Sequence, residues 1–286
     1  MAVYKRGYSR YTGDLTGRWQ RLVAVPRFVW GRLFGQRYVV ALFVLALFWP
    51  LLCCLFVYVA NHAELWSSFG RDMAKMLEIN GQFFLVFMNV QSVFTMILAA
   101  MAGPGLIAPD IANNALPLYF SRPQSRVDYV LSRFLVVAGL LSLVTILPAL
   151  FLLAMQTGLA GFRWALDFWY LPAGVLAGFA LWILIVSLVA LACSAYVKWR
   201  VVSGALVLAF FFLLGGAAEM MNAVFRTTSM SHLNPAKAMN RIWAALLRTE
   251  PGAELNTAVC AASLAALAVL LILVLERKLR PVEVIS

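Results

Sequence analysis

Six times between Val39 and Leu275 the chain enters an apolar run of membrane-crossing length, at about 39–60, 83–102, 129–155, 171–196, 201–218 and 257–275. A helix needs about 20 consecutive apolar residues to cross the hydrocarbon core. Inside that core the chain must satisfy its own backbone N–H and C=O groups, which leaves only helices and closed barrels. Barrel strands alternate apolar and polar residues. These runs are apolar throughout, so the expected fold is an all-α membrane protein with six transmembrane helices. Charged residues make up 12% of the chain, against about 25% in a soluble domain. No stretch remains for a separate soluble domain. The expected organisation is a cytoplasmic tail and interfacial helix over 1–37, followed by a six-span transmembrane domain over 38–286.

A net charge of +11 invites a nucleic-acid reading. In a membrane protein, however, Lys and Arg mark the cytoplasmic side. Six spans put both termini on one side. Sixteen Lys and Arg then fall on the terminal side and seven on the other, while the acids divide five to seven. The bias puts both termini in the cytoplasm and accounts for the charge without a nucleic-acid partner. The expected location is a bacterial cytoplasmic (inner) membrane. No cleavable signal peptide is expected, because the first apolar run starts only near Tyr38.

Two stretches outside the spans carry helical periodicity. Between Arg18 and Phe34, apolar residues recur at 19, 22, 23, 26, 29, 30, 33 and 34, with Arg18, Arg21 and Arg32 on the other face. This pattern suits an N-terminal interfacial helix with its cations near anionic headgroups. An extension of the first span is the alternative. Pro26 splits or starts that helix, and Pro50 kinks the first span. Within the outer loop, 219–256, Ile242, Trp243, Leu246 and Leu247 lie on one side of a short helix, and Lys237, Arg241 and Arg248 on the other. It reads as an outer amphipathic helix before the last span, either re-entrant or an ordered surface cap.

Catalytic patterns are missing. His62 and His232 are far apart and lack an HExxH frame, and no GxSxG elbow occurs. No GxxxxGK[ST] phosphate loop occurs, so the chain is not expected to hydrolyse ATP itself. Cys53, Cys54, Cys193 and Cys260 all fall inside spans without metal-ligand spacing, as small core residues do. No metal or cofactor is expected in this chain. Asp110 and Glu219 sit at span ends, which argues against an ion-coupled carrier with midplane carboxylates. The second span carries Asn89, Gln91, Ser92 and Thr95. These residues line a path or gate, or they form interhelical hydrogen bonds of about 1 kcal/mol each; the second reading is preferred. Gly174 and Gly178 form a GxxxG in the fourth span, and Ala258, Ala262 and Ala266 repeat every four residues in the sixth; such faces admit close helix packing.

One polar stretch stands apart. Residues 109–133 read PDIANNALPLYFSRPQSRVDYVLSR between two spans. Pro109 suits a helix's first turn, and Asp110 complements the N-terminal dipole. Leu116, Leu118, Tyr119 and Phe120 offer an apolar plug, and Arg122 and Arg126 can pair with carboxylates on a partner. The stretch resembles the type-2 ATP-binding-cassette (ABC) transporter permease family, through Asp110, the turn Ser121-Arg122-Pro123 with Ser125-Arg126, and the lead-in Tyr129 and Arg133. The chain has Asn113-Asn114 where that family often has Gly-Thr. The resemblance implies a cytoplasmic coupling helix over 109–126, docked on a separate ABC ATP-binding subunit through Asp110, Leu116, Tyr119, Phe120, Arg122 and Arg126. It further implies an exporter permease that pairs with a second copy or a homologous permease subunit. ATP and Mg would be bound in the partner ATPase. The alternative from another class is a non-transporting membrane anchor or assembly subunit.

Overall fold

The protein is represented by a computed structural model that describes residues 17–62, 78–115, 125–249 and 255–279. Among these residues the chain is helical, with no strand. The helices are α1 (Arg18–Phe34), α2 (Arg37–Asn61), α3 (Gly81–Ala102), α4 (Ala108–Ala112), α5 (Arg126–Val144), α6 (Ile146–Ala160), α7 (Phe162–Asp167), α8 (Tyr170–Tyr196), α9 (Arg200–Phe225), α10 (Pro235–Leu246) and α11 (Thr257–Lys278). Single 3-10 turns at Gly103–Gly105 and Ser229–Leu233 link neighbouring elements. Six stretches are long and apolar enough to cross a membrane: Arg37–Asn61, Gly81–Ala112, Arg126–Ala160, Tyr170–Tyr196, Arg200–Phe225 and Thr257–Lys278.

The fourth span, α8, is the hub. It packs on α3, α5, α9, α10 and α11, and its Val175, Phe179, Val186 and Val189 are wholly buried. By contrast, α2 exposes Val44, Phe48, Leu51 and Leu55 on its outer side. Apolar exposure of that kind suits a surface solvated by lipid rather than water.

Three expectations shift. Pro26 neither splits nor starts α1, which runs unbroken from Arg18 to Phe34 across it. The fifth span continues to Phe225, past the Ala218 boundary where the outer loop was expected to begin. Glu219 marks the apparent end in sequence, but its carboxylate pairs with Lys237 at 2.6 Å, and the helix stops only at left-handed Arg226. The apolar stripe of α1 is also wider than the face it buries. Leu22, Pro26 and Leu33 are buried, whereas Trp19, Val23 and Phe34 are exposed.

Missing side chains decide the close approaches. Trp30 of α1 lies where a Cβ on Gly139 of α5 would stand, and its Nε1 donates to Val136 O at 2.9 Å. The Gly174–Gly178 notch of α8 takes α10 and, at Gly178, also Met88 of the second span, whose Cε an added Cβ would meet at 2.6 Å. A Cβ at Gly174 would meet Leu246 O at 2.9 Å, and one at Gly178 would meet Trp243 Cδ1 at 2.7 Å. The notch also lets Trp243 Nε1 reach Gly178 O at 3.0 Å. Ala258, Ala262 and Ala266 of α11 are exposed on the bundle's outside.

Gly204 of α9 faces Ala100 O, which an added Cβ would meet at 2.6 Å; Gly31 of α1 has open space. Gly204→Ala should therefore cost about 1–3 kcal/mol through overpacking. Gly31→Ala should be neutral or stabilise by up to about 1 kcal/mol through helix propensity. Unfolding of the detergent-solubilised variants measures the contrast, and equal effects at the two sites would contradict the packing.

Candidate functional site

The polar stretch that stood out in the sequence is built from three spans. The second span ends at Ala102, and the turn Gly103–Gly105 leads into α4. The N-terminus of α4 has no side-chain cap of its own. Ser194, near the end of α8, supplies the missing partner. Its Oγ accepts from Ile107 N at 3.1 Å and Ala108 N at 3.2 Å, and its hydroxyl donates to Pro104 O at 3.0 Å. Four amides at a helix start lack intrahelical acceptors, so a buried Ser satisfying two neighbouring amides there fixes where α4 begins. Gly103 lies against Ala190 of the same span, where an added Cβ would come within 2.7 Å of the Ala190 Cβ.

Asp110 lies in the first turn of α4, the favourable end of the helix dipole. Its Oδ2 accepts from Tyr129 Oη and from Arg133 Nη2, both at 2.7 Å. Tyr129 and Arg133 are four residues apart on α5, hence on one face, and the guanidinium lies 5.2 Å from the Tyr129 ring centre. The ion pair is enclosed, with side chains only 8% and 17% exposed for Arg133 and Asp110. Ser125 Oγ caps α5 by accepting from Asp128 N. Both ends of the intervening loop are thereby fixed to each other, and through Ser194 to the fourth span.

The expected site residues divide accordingly. Asp110 is present, but its carboxylate is engaged inside the chain. Arg126 is exposed at the first position of α5. Leu116, Tyr119, Phe120 and Arg122 lie outside the described residues. Asn113–Asn114 is where α4 stops: Asn113 is its C-cap, and Asn114 takes a left-handed φ of 50°, which Asn tolerates better than most residues. Ala115 N then returns to Asp110 O at 2.8 Å.

The polar residues of the second span hold helices together. Gln91 is fully buried and donates through Nε2 to Ala46 O at 3.1 Å and to Val144 O at 2.5 Å. Both carbonyls stand four residues before a proline, Pro50 and Pro148. Proline has no N–H for the i−4 carbonyl, so one amide serves two acceptors that two different helices leave open. Thr95 Oγ1 accepts from Trp182 Nε1 at 2.7 Å, and Asn89 Oδ1 accepts from Asn240 Nδ2 of α10 at 2.8 Å. Ser92 bonds locally, donating to Asn89 O.

Sequence reasoning missed Ser194, whose contacts lie 86 to 90 residues away in the chain and leave no local signal. It also treated Arg200 as a topology charge only, whereas Arg200 Nη2 donates to Gln36 Oε1 at 2.7 Å and reaches Met101 O at 3.4 Å. His232 Nδ1 lies 3.4 Å from Cys260 Sγ. Among the described residues, no three His, Cys, Asp or Glu side chains gather as a metal site.

Compared with known proteins, the chain matches no family model, and it has no significant match among curated proteins.

Gln91→Leu should destabilise the protein by about 1–3 kcal/mol for each orphaned carbonyl. In a Pro50→Ala, Pro148→Ala background the new amides take over, and the same change should cost well under half as much. Unfolding of the four variants in detergent measures that coupling; an unchanged cost in the Ala background would contradict the carbonyl assignment. Asp110→Leu should cost about 3–5 kcal/mol by removing the carboxylate from the enclosed pair with Arg133, with part recovered on adding Arg133→Met. The same melts test this, and a double variant worse than the single would oppose it.

Proposed function

We propose that the chain is the membrane permease subunit of an ABC exporter. Two copies, or one copy and a homologue, form the pathway. Separate ATP-binding subunits, carrying ATP and Mg, dock under the 109–126 segment and drive it. Both termini are cytoplasmic in a bacterial inner membrane, α1 is the interfacial helix, α4 opens the coupling helix, and α10 is a re-entrant helix on the opposite side.

The observation that carries this reading is the Asp110–Tyr129–Arg133 cluster. A loop that only joined two spans would need no buried ion pair at its base. Here the pair binds the end of the second span to the start of the third, and Ser194 binds the same segment to the fourth. Force applied to the loop by a partner therefore reaches three spans at once. In this role Asp110 sets the position of the docking segment, and Arg122 and Arg126 present charge to the partner. The internal bonds of Gln91 and Thr95 favour helix cohesion over a pathway lining at those positions.

Reversing both basic charges, Arg122→Glu with Arg126→Glu, should leave membrane insertion intact and release the ATPase subunit on affinity purification. Co-purification at wild-type stoichiometry with a wild-type ATPase rate would refute docking. An ATPase with a phosphate loop as the stoichiometric native partner supports the exporter, and its absence supports a non-transporting anchor.

A further inference from the structure

Between the third, fourth and sixth spans lies a crevice of about 370 Å³. Its walls are Val130, Leu131 and Phe134 of α5, Leu184 of α8, and Ile272 and Leu275 of α11. Two charged residues, Arg126 and Glu276, also line it. Arg126 is the first residue of α5, and Glu276 is in the last turn of α11. The charges therefore sit where two spans meet the membrane edge. From Arg126 to Phe134 the apolar wall runs about 12 Å inward at the helical rise of 1.5 Å per residue. Val127 and Ile272 are 68% and 50% exposed, so the crevice opens to the bundle's outside.

We infer that this crevice binds one phospholipid with a zwitterionic headgroup, phosphatidylethanolamine being the probe that fits. The occupant must be apolar over most of its length and carry both charges at one end. A phosphate suits the guanidinium of Arg126, whose planar fork pairs bidentately with phosphate oxygens. An ammonium suits Glu276, whose carboxylate has about four acceptor sites and so takes a further donor alongside contacts within the chain. An anionic lipid would satisfy Arg126 and place its charge beside Glu276. About 370 Å³ takes the headgroup and the first part of an acyl chain, and the rest of the lipid lies in the bilayer on the open side of the crevice. The volume falls within the range of small-molecule pockets, about 300–1,000 Å³. The assignment uses Arg126, which the proposed docking also uses, so it is tested on the chain without an ATPase partner.

Native mass spectrometry of the full chain, delipidated in detergent, tests it with palmitoyl-oleoyl phosphatidylethanolamine against phosphatidylglycerol of the same acyl chains. One phosphatidylethanolamine per chain should be held about tenfold more tightly than phosphatidylglycerol, the factor that one charge-assisted hydrogen bond supplies. Leu184→Trp and Leu131→Trp, from different walls, should each weaken its retention. Glu276→Gln should keep a bound lipid and abolish the headgroup preference. Equal affinity for both lipids in the wild type would overturn the assignment. So would undiminished retention in both Trp variants, or a wild-type pair of chains that excludes lipid.

Discussion

A proline inside a membrane helix leaves the carbonyl four residues earlier without its N–H, and hydrocarbon offers no water in exchange. Pro50 and Pro148 create two such carbonyls, on Ala46 and Val144, in different spans. Both are met by the one amide of Gln91 from a third span. The rest of the bundle depends on that junction because it sets the depth and rotation of the first three spans together. A shift of one helical turn in any of them would leave a backbone acceptor bare. The second span then extends the same logic in both directions, to Trp182 through Thr95 and to α10 through Asn89.

At the other end of that span the chemistry changes from neutral amides to an enclosed ion pair. Asp110, Tyr129 and Arg133 interlock at a single carboxylate oxygen. Such a pair is sensitive to geometry, because its desolvation is offset only while its bonds are short and aligned. Relative motion of the second and third spans at that edge would break it. The pair thus ties the two spans together at that edge, with the fourth attached through Ser194.

Much of the fold was legible in the sequence because the bilayer imposes a length. Apolar runs of sufficient length predicted six spans, and the helices follow them within a few residues except at Glu219. There a single carboxylate looked like a boundary, since nothing local reveals that Lys237, 18 residues on, neutralises it. The periodicity of 235–248 was legible for the same reason as the spans: an apolar face repeats at the helical period. What that face meets was not, because Gly174 and Gly178 read equally well as a contact for any helix. Gln91 was recognisable as interhelical glue, but its acceptors lie 45 and 53 residues away. Two prolines in distant spans are a signal only once the spans are known to touch.

The notch at Gly174 and Gly178 also has a consequence in time. It is complete when the fourth span has been made, yet its occupant, α10, is encoded after the fifth. Chains emerge N-terminus first, so a growing protein holds its central helix with Gly174 uncovered and Gly178 met only by Met88 of the second span until α10 arrives. The hub of the bundle is therefore closed late, by a segment that must fold back across helices already in place. Only α11, which packs on both α8 and α10, is still to come at that point.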